Sequence, residues 1–391
     1  MFLNQAKQVV YDAIVEEGIL ASSQLKDNYR SVWSRDSMMT GLVGFAIADT
    51  KIIEGFKNAI LTFANYQAKN GQIPSNVALG NSPKVSYGSL VGRVDATTWW
   101  IVGCSILLKN NKDFQKTYFE TLKPKIYSAL ALLDSWEFNQ KGLIYTPLGG
   151  NWADEYVCSG YTLYDNVLRY WALKAAADIF EDAELAEKAH KTKTLIINNF
   201  SHNELGEKYH PIAFEEKLKD TKPYFSCSFS SNGYDQRWDM AGNALAILLN
   251  INEDIDEISK YLFLLKDEFH HWMLPVFSPI IRPEEEDWRL LHSNFLYDFK
   301  NKPFHFHNGG SWPIFLGWLC WALNNKNKKS IPENIFNHYQ ELLKKEEQPQ
   351  FYEYYASDKM EPSGAKKLCF SAVGYIMMHE SLFNHLKPLD F

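Results

Sequence analysis

Residues 307–323 read HNGGSWPIFLGWLCWAL. From Trp312 to Leu323 no polar side chain interrupts the run, so a helix here is apolar on every face and must be buried on every face. Its entry is equally informative. Gly309 and Gly310 let main-chain N–H groups come close to a ligand, and Ser311 reads as a helix cap with Trp312 and Pro313 in the first turn. A well-made helix start explains the glycines, the serine and the proline. It leaves His307 and Asn308 as candidates for binding.

The same kind of segment recurs outward in both directions, as MMTGLVGFAIA (38–48), ATTWWIVGCSILL (96–108) and MAGNALAILL (240–249). Between such segments lie helical patterns with a polar stripe, such as LTFANYQAKN (61–70) and IPENIFNHYQELLKK (331–345). The periodicity predicts about twelve helices, near 3–18, 36–49, 51–69, 95–110, 114–138, 162–182, 183–200, 239–250, 254–268, 311–325, 332–346 and 368–384. Every second one is of the buried kind. Six buried helices ringed by six half-exposed ones make an all-α fold, an (α/α)6 toroid. Short extended pieces are expected near 142–148 and 208–230, as hairpins in loops. With no linker and no break in composition, residues 1–391 are expected to form a single domain.

The loops alternate too. Those entering the buried helices are long and rich in Trp, Asp, Arg, His and Gly: YRSVWSRDS (29–37), YGSLVGRVDATTWW (87–100), NWADEYVCSGYTLYDN (151–166), SSNGYDQRWDMAGN (230–243), HFHNGGSWP (305–313) and FYEYYASDKMEPSGAKK (351–367). In a toroid these loops converge on one rim, where free N–H groups of helix N-termini also gather. Convergent polar groups and aromatics at one mouth mark a binding site.

Composition narrows the ligand. The net charge is −7 with no basic run, which argues against a nucleic-acid or anionic-membrane partner. Aromatics make up 15% of the chain; a ring-rich core is the simpler account, and a site where the apolar faces of sugars stack on aromatic planes is the functional alternative. The five Cys are widely spaced with no C-x-x-C, so neither a disulfide framework nor a zinc site is written here. The N-terminal MFLNQAKQVVYDAIVEEGIL reads as an amphipathic helix rather than a cleavable signal. No apolar run reaches the ~18 residues of a membrane span. Reduced thiols suit a cytoplasmic chain, and oligomeric state is not written in the sequence. Motifs of zinc peptidases, P-loop NTPases and α/β-hydrolases do not occur.

Cleaving a glycosidic bond takes two carboxyl groups approaching the anomeric carbon from different sides. The rich loops offer Asp36, Asp95, Asp154, Glu155, Asp165, Asp235, Asp239, Glu353, Asp358 and Glu361. Asp36, Asp95 and Asp239 stand at the mouths of buried helices and read equally as N-caps. Asp165 falls in a first turn, where the helix dipole favours a carboxylate anyway. Asp154 and Glu353 lie in aromatic-rich loops several residues ahead of a helix. A solvated loop carboxylate is the bland alternative for each.

These segments resemble the alkaline/neutral invertase family of glycoside hydrolases, and more distantly the glucoamylase-like and glucosidase-I-like (α/α)6 hydrolases. WSRD (33–36) is similar to the family's W-x-R-D, GRVDATTWWI (92–101) to V-D-S-G-x-W-W-I, and YDQRWDMAGNALAIL (234–248) to F-D-x-R-W-x-x-x-G-N-x-x-A-I-L. DWR (287–289) followed by HNGGSWP (307–313), and then EYY (353–355), resemble E-W-R, H-N-G-G-S-W-P and E-Y-Y-D-G. The likeness runs from about residue 30 to 385, in family order. It implies Asp154 as general acid and Glu353 as general base, inversion, sucrose as substrate, and no metal or cofactor. The expected sugar contacts are Trp33, Arg35, Asp36, Asp95, Asp235, Arg237, His307, Asn308 and Trp312. A proton held by Asp154 near neutrality is part of that expectation.

The departures concern the acid's surroundings. GYTLYDN (160–166) replaces the family's G-Y-P-I-E-I-Q, and EYYASD replaces E-Y-Y-D-G. Another α-glucoside therefore rivals sucrose. The other readings on the same toroid are an N-acyl sugar 2-epimerase, which would rely on paired His where this chain offers His305 and His307, and a non-catalytic sugar-binding protein.

Overall fold

The computed structural model describes residues 2–24, 27–80, 82–384 and 386. Among these, the helices are α1 (Leu3–Ala13), α2 (Ser34–Ala46), α3 (Thr50–Asn65), α4 (Val94–Asn110), α5 (Lys112–Ser135), α6 (Leu163–Phe180), α7 (Ala183–Phe200), α8 (Pro211–Lys217), α9 (Met240–Leu248), α10 (Ile255–Phe269), α11 (Trp288–Ser293), α12 (Pro313–Asn325), α13 (Ser330–Lys344) and α14 (Cys369–Phe383). The twelve long ones are those the periodicity predicts. The short α8 and α11 lie in loops.

Helices α2, α4, α6, α9, α12 and α14 pack in cyclic order, with α14 returning to α2, and so close a ring. All-round apolarity decides which helices form it: Pro313–Leu323 of α12 and Val94–Leu108 of α4 are buried without a break. Helices α1, α3, α5, α7 and α13 pack outside, each against an inner helix. Their one-sided burial follows the polar stripe read from the sequence. Inside the ring Trp99, Trp171 and Trp318 meet with ring centroids 5.6–6.4 Å apart. The α12–α14 contact is tight because Gly317 and Gly374 face each other; a Cβ on Gly317 would lie 2.8 Å from the Gly374 Cα.

Several local expectations are revised. Helix α1 ends at Ala13, not near 18, because Ile14–Val15 pairs with Gly18–Ile19 as a small antiparallel hairpin. Gly18 allows this with φ +141° and with Ala59 too close for any side chain. Part of the 208–230 region is the short α8, and strand Ser228–Ser230 pairs instead with Tyr161–Thr162 and Gly233–Asp235. The 142–148 segment contributes one bridge, Thr146 to Gly160. Asp36 and Asp95 are not N-caps: α2 and α4 start at Ser34 and Val94, which places both carboxylates inside the first turn. Asp239 does cap α9, accepting from the Gly242 N–H at 3.1 Å. Ser311 is not a cap either, because Trp312 holds that position before α12. Among the described residues no helix is long and apolar enough to cross a membrane.

Candidate active site

Short strands stiffen the rim at the N-terminal ends of the inner helices. Ser31–Trp33 pairs with Asn76–Ala78, which pairs in turn with Lys84–Ser86. Tyr354–Ala356 pairs with Glu361–Ser363. Between these rim elements opens a cavity of about 920 Å³. Trp33, Arg35, Asp36, Asp154, His307, Trp312 and Glu353 all line it.

Glu353 is held from two directions. The Tyr29 hydroxyl donates to Oε1 at 2.9 Å and lies 3.0 Å from Oε2, and the Ala365 N–H donates to Oε2 at 3.0 Å. Its own N–H donates to the Ala365 carbonyl at 2.9 Å, so main chain and side chain lock to one neighbour. Only 7% of Glu353 is exposed. Burial and the Glu353 carboxylate together push the Tyr29 phenol far above its ordinary range, so Tyr29 stays a donor.

Asp154 differs. Its side chain is one-third exposed and forms an ion pair with Arg93, whose guanidinium also donates to the Gly149 carbonyl. Beside it, Glu155 lines the same cavity. Burial raises the Glu155 carboxyl, opposed by Lys300 at 3.8 Å, and its Oε2 has no hydrogen-bond partner among the described residues. Below the loop, Asp165 accepts from Asn151 at 2.8 Å, Thr146 at 2.9 Å and Thr162 at 2.7 Å. Burial, reinforced by nearby Asp95, pushes Asp165 up to about 7.

Arg35 and Asp36 enter from the first turn of α2. Asp36 is 5% exposed, and burial pushes its carboxyl up to about 6 against the pull of Arg35. Asp95 is fully buried beneath the cavity rather than on its wall, and bonds Arg35 Nη1 at 2.8 Å. Trp99 is core; its indole N–H donates to the Tyr164 hydroxyl at 2.8 Å. His307 is kept neutral by burial, foremost, and by nearby cations. Its ring stacks on Trp312 at 5.4 Å and meets the edge of Trp152 at 5.0 Å.

Asp235, Arg237 and Asn308 are not brought to this cavity. Arg237 bridges Asp235 at 2.7 Å and Asp287 at 2.8 Å beside a separate cavity of about 530 Å³. The Asn308 side chain is consumed by the main chain of Ile281, accepting from its N–H at 2.9 Å and donating to its carbonyl at 2.8 Å. Tyr29, Arg93, Trp152 and Lys300 line the cavity without having been singled out from sequence. The first three lie inside the rich loops; what marks Tyr29 and Arg93, their bonds to Glu353 and Asp154, is a tertiary fact. Of the two His an epimerase would use, His307 lines the cavity and His305 does not. Among the described residues no group of three or more His, Cys, Asp or Glu is arranged to hold a metal ion.

Comparison with known proteins agrees with this architecture. The family model described as alkaline and neutral invertase matches residues 197–385, a stretch that includes Glu353 and leaves Asp154 outside. The probable alkaline/neutral invertase D of Arabidopsis thaliana is 21% identical over 402 residues, covering 90% of this chain and 74% of the relative. Cytosolic invertase 1 of Oryza sativa subsp. japonica is 21% identical, over 90% of this chain and 71% of its own length. Among solved structures, the GH63 mannosylglycerate hydrolase of Thermus thermophilus in complex with Tris superposes with a TM-score of 0.68 at 12% identity, covering 96% of this chain and 99% of that one. A bacterial glucoamylase complexed with acarbose gives 0.63 at 16% identity, over 100% of this chain and 56% of that one. The ring of inner helices, the cavity at its rim and these likenesses agree: the chain is a glycoside hydrolase on an (α/α)6 toroid, similar over residues 197–385 to the alkaline and neutral invertases.

Proposed function

We propose that residues 1–391 act as one catalytic unit that hydrolyses a small soluble glycoside with inversion. Sucrose stands first as substrate, another α-glucoside next, and the setting is cytoplasmic, as the name of the rice relative suggests. One observation carries the reading: Asp154 and Glu353, far apart in the chain, line the same cavity.

Glu353 is the base. It is fixed by Tyr29 and Ala365, and it would take a proton from the water that attacks the anomeric carbon. Asp154 is the acid that protonates the leaving oxygen. Asp154 is engaged by the Arg93 guanidinium, so that pair has to open for Asp154 to reach the leaving oxygen. Inversion needs roughly 6.5–9.5 Å between the two carboxyl groups, with the water in that gap. Arg35 and Asp36 bind ring hydroxyls, and Trp33, Trp152, Trp312 and neutral His307 supply the faces against which the sugar packs. The reaction as proposed needs no metal or cofactor.

The test is Asp154→Asn and Glu353→Gln, assayed on sucrose, trehalose, maltose and small α-glucosides, with proton NMR of the first product anomer. Each variant should lose on the order of 10²–10⁴-fold in turnover, and an α-glucoside should release β-glucose first. Wild-type turnover in both variants would end the assignment, and initial release of the α-anomer would end inversion.

A further inference from the structure

The acid's loop is not held by regular secondary structure. Within residues 151–157 the internal support is the Tyr156 N–H on the Ala153 carbonyl at 3.0 Å and the Ala153 N–H on Asn151 Oδ1 at 3.1 Å. Three consecutive carbonyls, of Asp154, Glu155 and Tyr156, instead accept from side chains of a single distant segment. Asn301 Nδ2 donates to the Glu155 carbonyl at 2.6 Å. Asn294 Nδ2 reaches the Tyr156 carbonyl at 3.1 Å and that of Asp154 at 3.3 Å.

Asn301 is more than a tether. It is fully buried, and its Oδ1 accepts from the N–H groups of both His307 and Asn308, at 3.0 and 3.1 Å. Its carbonyl accepts from Asn308 Nδ2 at 3.1 Å. One amide thus joins the loop carrying Asp154 to the turn carrying His307. A planar group with a donor on one side and an acceptor on the other fixes both distance and orientation between the two. Lys300, next in the chain, adds the ion pair to Glu155 at 3.8 Å.

We infer that Asn301, seconded by Asn294, is a positioning residue for the acid: it sets Asp154 against the turn at His307, and with it the proton's path to the leaving oxygen. The inference rests on the reading of Asp154 as the acid. Misplacing a reacting group by about 1 Å costs on the order of 10²-fold. That cost should fall on substrates whose leaving group needs a proton and spare those whose leaving group departs unaided.

The experiment compares Asn301→Ala, Asn294→Ala and Asp154→Asn on sucrose and on 4-nitrophenyl α-D-glucopyranoside, whose phenolate leaves with little help. Asn301→Ala should lower kcat on sucrose by about 30- to 100-fold, leave KM within about threefold, and change kcat on the aryl glucoside by no more than about threefold. Asn294→Ala, at a half-buried site and removing the two longer bonds, should show the same selectivity at about fivefold. It decides the matter if Asn301→Ala does not fold. Equal losses on both substrates, or no loss on either, overturn the inference. Selective loss in Asp154→Asn without it in the asparagine variants overturns the positioning role alone. No selective loss in Asp154→Asn overturns the acid assignment, and the positioning role with it.

Discussion

Gly364 offers a severe test of where Glu353 must stand. Its φ is +82°, a region that L side chains rarely adopt, and it lies directly against the glutamate. A methyl group there would sit 2.3 Å from Oε2 and 2.6 Å from the Cβ of Glu353, whereas ordinary contact begins near 3.4 Å. In Gly364→Ala the carboxylate has to retreat by about 1 Å, because the close-packed surroundings leave little other freedom. A displacement of that size in a reacting group is worth on the order of 10²-fold in rate, or about 2.7 kcal/mol of transition-state stabilisation. The left-handed backbone adds about 1–2 kcal/mol of strain, visible in a chain of this length as a Tm lower by on the order of 1–2 °C. The assay is kcat on the best substrate alongside calorimetry. The expected result is a folded, slightly less stable protein with kcat down about 100-fold and a nearly unchanged KM. A folded variant that keeps kcat within about threefold would refute the claim that this carboxylate, in this position, does the chemistry.

Two further predictions concern stability. Asp165 holds its proton up to about 7 in the fold because burial and Asp95 disfavour its charge. A raised carboxyl pKa adds stability that is full below the unfolded value and is lost as pH rises through about 7. Asp165→Asn should therefore flatten the dependence of Tm on pH between pH 4 and 7, and an unchanged slope would contradict the buried, proton-holding assignment. Gly374→Ala would put a Cβ 2.2 Å from the Pro313 carbonyl, where α14 crosses α12. Chemical denaturation should show a loss of at least about 1–3 kcal/mol, and a neutral result would mean the two helices are not in contact there.

Much of the fold was legible because a buried helix announces itself. Trp312–Leu323 has no polar face to offer water, so its place in the inner ring follows from composition and the 3.6-residue period. The outer helices declared themselves by their stripes, and the six rich loops by their chemistry. Local punctuation was less legible. The first helix ends at Ala13 because Ile14–Val15 finds a strand partner in Gly18–Ile19, and that pairing outweighs a continuing helical pattern.

At the site the sequence alone determined which residue types gather at one rim, since alternation of inner and outer helices sends every second loop to the same end. Tertiary structure decided which of those residues share a cavity and which serve as its supports. Asp36 and Asp95 look alike in sequence, each at the mouth of an inner helix; one reaches the cavity and the other lies sealed beneath Arg35. Asn308 and His307 are neighbours, yet one is spent on the main chain of Ile281 while the other faces the cavity. Arg93, Tyr29 and Asn301 drew no notice because their partners are remote in the chain. Periodicity reports the burial of a helix face, which is a one-dimensional property. Hydrogen bonds between loops depend on distances that exist only once the ring has closed.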